Sequence, residues 1–366
     1  MSTADPLALR SHALRAPVGL AALRSLGPWA AVFAIAFVLE RLIGPYLPGY
    51  YAKVLTDVGI AIVLGVSLNL VNGFTGQFSI GHAGFMAVGG YVAGTVTYYG
   101  HHLLWGGIAK QGGFLGASEW LFVAGALAGG IAAGLAGYLV GLPSLRLRGD
   151  YLAIVTLGFG EILRVIIQRT DDVLFVPKDI EAASFTTLAT SVGGALGFTG
   201  IPFLTNLFWV AVAVGAVLVL SYRLKHSDEG RGFLAIREDE VAAEAMGVPT
   251  TRLKVRAFVY AAFFAGIAGA LFAHEVGTTL NPRELGFQKS FEIVIMVVLG
   301  GMGSISGTTL AAIVLTVLPE LLREFAQYRM IAYALLLIGM MLLRPQGLFG
   351  IHEIWDLSFR RKKAAP

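Results

Sequence analysis

The sequence predicts an all-α integral membrane protein of about ten transmembrane helices, folded as a single membrane domain. Three observations predict it. Of 366 residues, 56% are hydrophobic and only 14% are charged, against roughly a quarter in soluble domains. The apolar residues form long runs, giving a mean hydropathy of +0.73. Basic residues concentrate in alternate connections between those runs. Such a chain is not an ordinary soluble enzyme. Its 47 glycines fit helices that approach closely in lipid. With no cysteine, disulfides, thiolate catalysis and cysteine-ligated metals are excluded.

Residues 1–27 read as a basic cytoplasmic segment lying on the membrane surface: arginines recur to position 24 and no cleavable signal pattern follows. The membrane domain covers 28–345. Its apolar runs lie near 28–43, 53–72, 80–99, 119–142, 150–169, 205–224, 257–275, 290–301, 303–320 and 329–343. Each reaches or approaches the roughly 20 residues of a crossing, and broken helices need fewer. With the N-terminus inside, the cytoplasmic parts include LPSLRLRGD, the loop 225–256 and a basic tail, 346–366, carrying Arg360, Arg361, Lys362 and Lys363. The loop 170–204, predicted outside, carries Lys178 against Asp171, Asp172, Asp179 and Glu181. The positive-inside rule therefore puts both termini in the cytoplasm.

Two stretches interrupt this pattern. NGFTGQFSIGHAGF (72–85) and VVLGGMGSISGTTLAA (297–312) put glycine and polar residues between apolar runs. Non-helical backbone at membrane depth needs protein or water partners, and paired interruptions are the best sequence pointer to a transport pathway. Asn72, Gly76, Gln77, Ser79, Gly81 and His82 in the first, and Gly300, Gly301, Gly303 and Ser304 in the second, are the candidate pathway residues. Tight turns between packed helices would use the same small residues. Glu161 is a further candidate. It lies inside a span with Arg164 three residues on, so the two share a helix face; a structural ion pair is the competing reading. His82 has no metal-binding neighbours, and His274 and Glu275 are expected at an outer helix end, in contact with water.

SLNLVNGFTGQFSIGHAGFMAVGGYVAG, RLRGDYLAIVTLGFGEILRVI, GRGFLAIREDEVAAEAMGV, VVLGGMGSISG and RPQGLFG, in that order, resemble the LivM-type permease of branched-chain amino-acid ABC importers. TSVGGALGFTGIP also resembles a glycine-rich external segment of that family. The resemblance implies a type II-like importer permease with inverted repeats and broken helices in a bacterial cytoplasmic (inner) membrane. It also implies a second, LivH-type permease subunit, two cytoplasmic ATPase subunits and an extracytoplasmic (periplasmic) amino-acid-binding protein.

The loop 225–256 balances Lys225, Arg231, Arg237, Arg252, Lys254 and Arg256 against Asp228, Glu229, Glu238, Asp239, Glu240 and Glu244. A surface for nucleic acid would be one-signed, so none is expected as a partner; membrane lipid is. FLAIREDEVAAEAMGV reads as one short helix ending at Gly247. Its apolar positions Phe233, Ile236, Val241, Ala245 and Val248 suit a groove on another protein. VAAEAMG resembles the importer loop that contacts the ATPase, with Val241 where that pattern has Glu and Glu240 one place early. Arg237, Glu238, Asp239, Glu240, Ala242, Ala243 and Gly247 are the candidate coupling residues.

No phosphate-binding G-x-x-x-x-G-K-[ST] occurs, so ATP and Mg²⁺ belong on partners, and no cofactor or metal site is expected in this chain. The function expected is that of a non-enzymatic permease subunit of an ATP-driven importer for branched-chain or other neutral amino acids. A urea or short-amide importer permease is the nearest alternative. An ion-coupled secondary transporter would need several carboxylates deep in its spans.

Overall fold

The computed structural model describes residues 18–145, 150–276 and 279–325, with scattered positions and short runs between 328 and 354, among them 346–350. Most of the expected tail and of the span at 329–343 lies outside the described residues. In order, the helices are α1 (Val18–Val38), α2 (Gly49–Asn69), α3 (His82–Trp105), α4 (Ala117–Ser144), α5 (Asp150–Gln168), α6 (Pro177–Ala182), α7 (Phe185–Thr190), α8 (Leu207–Lys225), α9 (Asp228–Glu238), α10 (Glu240–Ala245), α11 (Thr250–Val276), α12 (Phe287–Gly300) and α13 (Ile305–Leu321). Two short strands, β1 (Phe198–Thr199) and β2 (Thr279–Leu280), pair antiparallel.

Among the described residues, six helices are long and apolar enough to cross a membrane: α1, α2, α4, α5, α8 and α11, two of them extended past their α-helical ends. α3 has the length but not the apolarity. The reason is its position: most of its residues are buried, and a helix surrounded by protein need not be greasy on all sides. α12, at 14 residues, rises only about 21 Å, less than a hydrocarbon core of roughly 30 Å. It is a broken span.

α3, α4 and α11 cross on glycine. A Cβ at Gly89 would overlap the Gly266 backbone, one at Gly129 the Gly89 carbonyl, and one at Gly266 both Ala133 and the Gly129 carbonyl. This seam brings three backbones into direct contact, so dispersion contacts replace the hydrophobic drive that is missing in lipid. α2 packs beside it against α8, α11, α12 and α13. α1 lies outermost on α8, with Val32 over Gly215.

At the end away from α9, the segment after α5 folds over α3. Gly193, Gly197 and Gly200 take left-handed backbone there, which only glycine adopts at little cost. Tyr99 donates to the Ser191 carbonyl (2.5 Å), Tyr98 to that of Leu174 (3.1 Å) and Tyr91 to that of Leu280 (2.7 Å). His274 and Glu275 are not water-exposed as expected; both are buried. His274 is paired with Thr97 (2.7 Å) and the Ala270 carbonyl (2.7 Å), and Glu275 with Lys53 (3.3 Å).

Candidate functional site

The two interruptions meet. α2 ends in a π-helical turn at Leu70–Phe74, and residues 75–81 run non-helically into α3. Asn72 holds this bend through both backbone groups of Ser79, donating to its carbonyl (3.3 Å) and accepting from its N–H (3.1 Å). The Gln77 N–H reaches the Val71 carbonyl at 3.2 Å, and Gly76 supplies left-handed backbone. At the start of α3, the N–H groups of Ile80 and Ala83 find the hydroxyls of Thr156 on α5 and Ser290 on α12 at 3.1 Å each. His82 pairs with Ser67 at 2.9 Å. Every one of these bonds satisfies backbone or side chain that lipid could not.

The second interruption needs two left-handed glycines, Gly301 and Gly303, before Ser304 caps α13 by accepting from the Gly307 N–H (3.0 Å). Gly300 lies so close to α13 that a Cβ would overlap Thr308. Asn69 joins the two stretches: its Oδ1 accepts from the Gly303 N–H (2.8 Å) and its Nδ2 donates to the Ser304 carbonyl (3.1 Å). RPQGLFG returns to the same place, with the Leu348 N–H on the Leu299 carbonyl (2.8 Å).

Lys225, the last residue of α8, closes this junction. Its Nζ donates to the Gly303 carbonyl (2.9 Å), lies 5.6 Å from the Phe74 ring centre and pairs with Glu353 at 2.5 Å. Glu353 also accepts from the N–H groups of Ile305 and Ser306 (3.0 Å each) and the Ser306 hydroxyl (2.6 Å), so a carboxylate sits where α13 presents unpaired donors. Burial alone would raise its pKa; the bonds from Lys225, Ser306 and Ile305 outweigh it and hold the carboxyl below the usual range.

The loop after α8 departs from the single helix expected. It breaks at Asp239, which ends α9 in extended backbone and caps α10 by accepting from the N–H groups of Val241 (2.8 Å) and Ala242 (3.0 Å). A short polar side chain competes well for exposed amides, so a helix breaks readily there. The expected apolar stripe is split as a result. Phe233 and Ile236 on α9 are buried in the body, whereas Val241 is 61% and Met246 84% exposed. Ala243 is buried too and so does not face outward; Glu238, Ala242, Glu244, Ala245 and Gly247 do. Glu240 pairs with the buried Lys254 at 2.5 Å and Glu229 with Arg256, fixing both short helices to α11. Arg237 packs directly on Gly76. The end of α9 therefore touches the first interruption.

Of the residues singled out in the sequence, Asn72, Ser79 and His82 are buried with partners inside the chain, while Gly76 and Gln77 reach the surface. Gly81 lies against α5, where a Cβ would overlap the Thr156 carbonyl. Glu161 stands apart from the junction. It accepts from Arg164 (2.7 Å) and from the Phe287 N–H (3.1 Å), capping the far end of α12. Asn69, Lys225 and Glu353 had not been singled out. Asn69 was visible as the polar residue inside the α2 run; the other two become meaningful only once the chain folds back.

Residues 50–344 match the family described as branched-chain amino acid transport system / permease component. The chain belongs to this permease family. It is a LivM-type permease, a membrane-spanning transport subunit of an ABC importer, and a multi-pass inner-membrane protein. It is 37% identical over 334 residues to the high-affinity branched-chain amino acid transport system permease protein LivM of Salmonella typhimurium, covering 87% of this chain and 74% of that one. With LivM of Escherichia coli the identity is 35% over the same shares. With LivH of Salmonella typhimurium it is 25% over 300 residues, 80% of this chain and 92% of the relative. No solved structure matches. Among the described residues no group of His, Cys, Asp or Glu side chains is arranged to hold a metal ion.

Proposed function

We propose that the permease carries branched-chain or other neutral amino acids inward by alternating access, driven by two cytoplasmic ATPase subunits that bind ATP and Mg²⁺. It pairs with a second, LivH-type permease and receives substrate from an extracytoplasmic binding protein. Both termini lie in the cytoplasm, as the basic ends and the basic residues of loop 225–256 support. The LivM and LivH relatives, named for branched-chain amino acid transport, support the substrate class.

The observation that carries the mechanism is the contact of Arg237 with Gly76. In this reading the ATPases dock on the exposed face of α10, around Val241, Ala242, Ala245 and Met246, flanked by Glu238 and Glu244. Closure of the ATPase pair moves α9 and α10, and Arg237 and Lys225 pass that movement to residues 72–85 and 300–304. Asn69 makes the two interruptions respond together. The conduit residues then move through backbone rearrangement at Gly76, Gly301 and Gly303.

The test is Met246→Arg in the complete transporter, reconstituted in vesicles with its ATPases and binding protein. Uptake of leucine and substrate-stimulated ATP hydrolysis should both fall to background, with the permease pair inserted and folded. Met246 suits this better than Ala243, whose burial would confuse docking with folding. Stimulated hydrolysis at the wild-type level would show that α10 is a connector.

A further inference from the structure

A second polar feature lies at the end of the bundle opposite the junction. A cavity of about 430 Å³ opens between α2, α12 and α13, with Phe272 of α11 in its wall. That is within the range of small-molecule sites, roughly 300–1,000 Å³. A larger cavity of about 830 Å³, between α1, α4, α8 and α11, is lined by aliphatic and aromatic side chains and holds no charged group to orient a ligand.

The smaller cavity is two-sided. Asp57, Lys289, Glu292 and Glu320 line it toward the helix ends, and Ile60, Leu64, Met296 and Leu315 line it further in. On α2 the change takes place along one face: Asp57 and Leu64 are two turns apart, about 10 Å. Next to Leu64, Gly65 lets α2 close on Thr308 and Met296, which shuts the apolar floor.

The charges do not cancel. Lys289 pairs with Glu292 (3.2 Å), Lys53 bridges Asp57 (3.1 Å) and Glu275 (3.3 Å), and Arg323 lies over the Tyr50 ring (5.3 Å), so three cations face four carboxylates once Glu320 is included. Glu320 accepts from Tyr50 at 2.5 Å. Glu275 lies one turn beyond Phe272 on α11, is buried behind the cavity wall, and sits against Lys53 and Asp57. The excess negative charge favours an ammonium group, and Lys289 offers a cation for a carboxylate. The apolar floor suits a short branched hydrocarbon.

We infer that this cavity is a subsite within a single permease chain for a free aliphatic α-amino acid. The ammonium lies among Asp57, Glu292 and Glu320, the carboxylate lies at Lys289, and the side chain points to Leu64 and Met296. The inference rests on the proposed amino-acid substrate. Under the proposed orientation the cavity is at the outer end, where a released substrate first meets the permease.

The experiment is equilibrium binding of radiolabelled L-leucine to the assembled permease–ATPase complex in nanodiscs, without the binding protein. Saturable binding is expected, competed by valine and isoleucine but not by isovalerate or isopentylamine, each of which lacks one charged group. Glu292→Gln, at an exposed position, should weaken it about tenfold with unchanged complex yield; Thr316 lines the cavity beside Leu315, so Thr316→Trp should fill it and abolish binding. A complex that imports leucine with its binding protein yet binds none alone overturns the subsite and leaves the substrate reading intact. A complex that imports no neutral amino acid overturns the substrate reading and, with it, the subsite. Leucine binding that disappears when phosphatidylethanolamine is added to phosphatidylcholine nanodiscs would assign the cavity to a lipid headgroup instead.

Discussion

At the α3–α4–α11 seam, Gly89, Gly129 and Gly266 keep ordinary helical backbone, and what matters is the space a side chain would take from a neighbouring helix. At the junction, Gly76, Gly301 and Gly303 take left-handed backbone, and what matters is the turn itself. The seam is sealed by contact between backbones. The junction is held by side-chain bonds from Asn69, Asn72 and Lys225 to backbone groups. The first arrangement has one good geometry, since packed cores do not deform continuously. The second is a set of individual hydrogen bonds around left-handed glycine turns, the kind of element that the proposed mechanism needs to hold two states. The proposed mechanism therefore places rigidity at the seam and movement at the junction.

The largest effect that would test this difference is at the seam. Gly266→Val should cost about 3 kcal/mol or more, at or beyond the top of the usual range for overpacked cores, because backbone and not a flexible side chain must give way. The readout is the yield and thermal stability of the detergent-extracted complex, which should be lost together with transport. A stable complex with normal uptake would mean that the seam is loosely packed.

Gly81 sharpens the comparison, since it sits in the junction stretch but behaves like a seam residue: its φ is −89° and a Cβ would meet the Thr156 carbonyl. Gly81→Val should cost roughly 1–3 kcal/mol and abolish uptake, whereas Gln77→Ala, which removes only the part-buried bond from Nε2 to the Thr75 carbonyl (3.5 Å), should cost less than about 1 kcal/mol and only weaken uptake. Uptake and complex yield measured side by side decide between them. Equal effects would erase the distinction between space-making and turn-making glycines.

A smaller effect concerns the returning tail. A carboxyl held below its unfolded pKa adds stability above the unfolded value and loses it as pH falls through the folded one. Glu353 is such a group, so the tail should stay docked at neutral pH and loosen only in acid below the usual carboxylate range. Hydrogen exchange at the Leu348 amide, which bonds to Leu299, should accelerate there relative to amides of α11. Glu353→Gln should show the loosened exchange at neutral pH. Protection of the Leu348 amide relative to amides of α11 that does not change with pH in the intact chain would mean that the carboxylate does not hold the tail.

Much of this architecture was legible in the sequence. The apolar runs at 290–301 and 303–320 correspond closely to α12 and α13, and both interruptions fall where glycine and polar residues break the pattern. The break at Asp239 was not read, because an Asp inside a charged loop helix gives no periodicity signal, although its capping chemistry was present in the EDEV sequence. The burial of His274 and Glu275 was missed for a different reason. Their partners, Thr97 and Lys53, lie on other helices, and position at a helix end says nothing about what covers it. The junction itself was half legible: the two glycine stretches could be paired by composition, but Asn69, Lys225 and Glu353, which tie them together, are separated by more than a hundred residues.

In the proposed mechanism the two interruptions move as one unit with α9 and α10. Asn69→Ala tests it most directly, because Asn69 contributes both bonds between them. Leucine uptake and ATP hydrolysis are to be measured per assembled complex in the same vesicles. Hydrolysis should remain near wild type while uptake falls about tenfold or more, the factor that corresponds to about 1.4 kcal/mol of lost coupling. Uptake and hydrolysis that stay in their wild-type ratio, whether both persist or both fall, would contradict it.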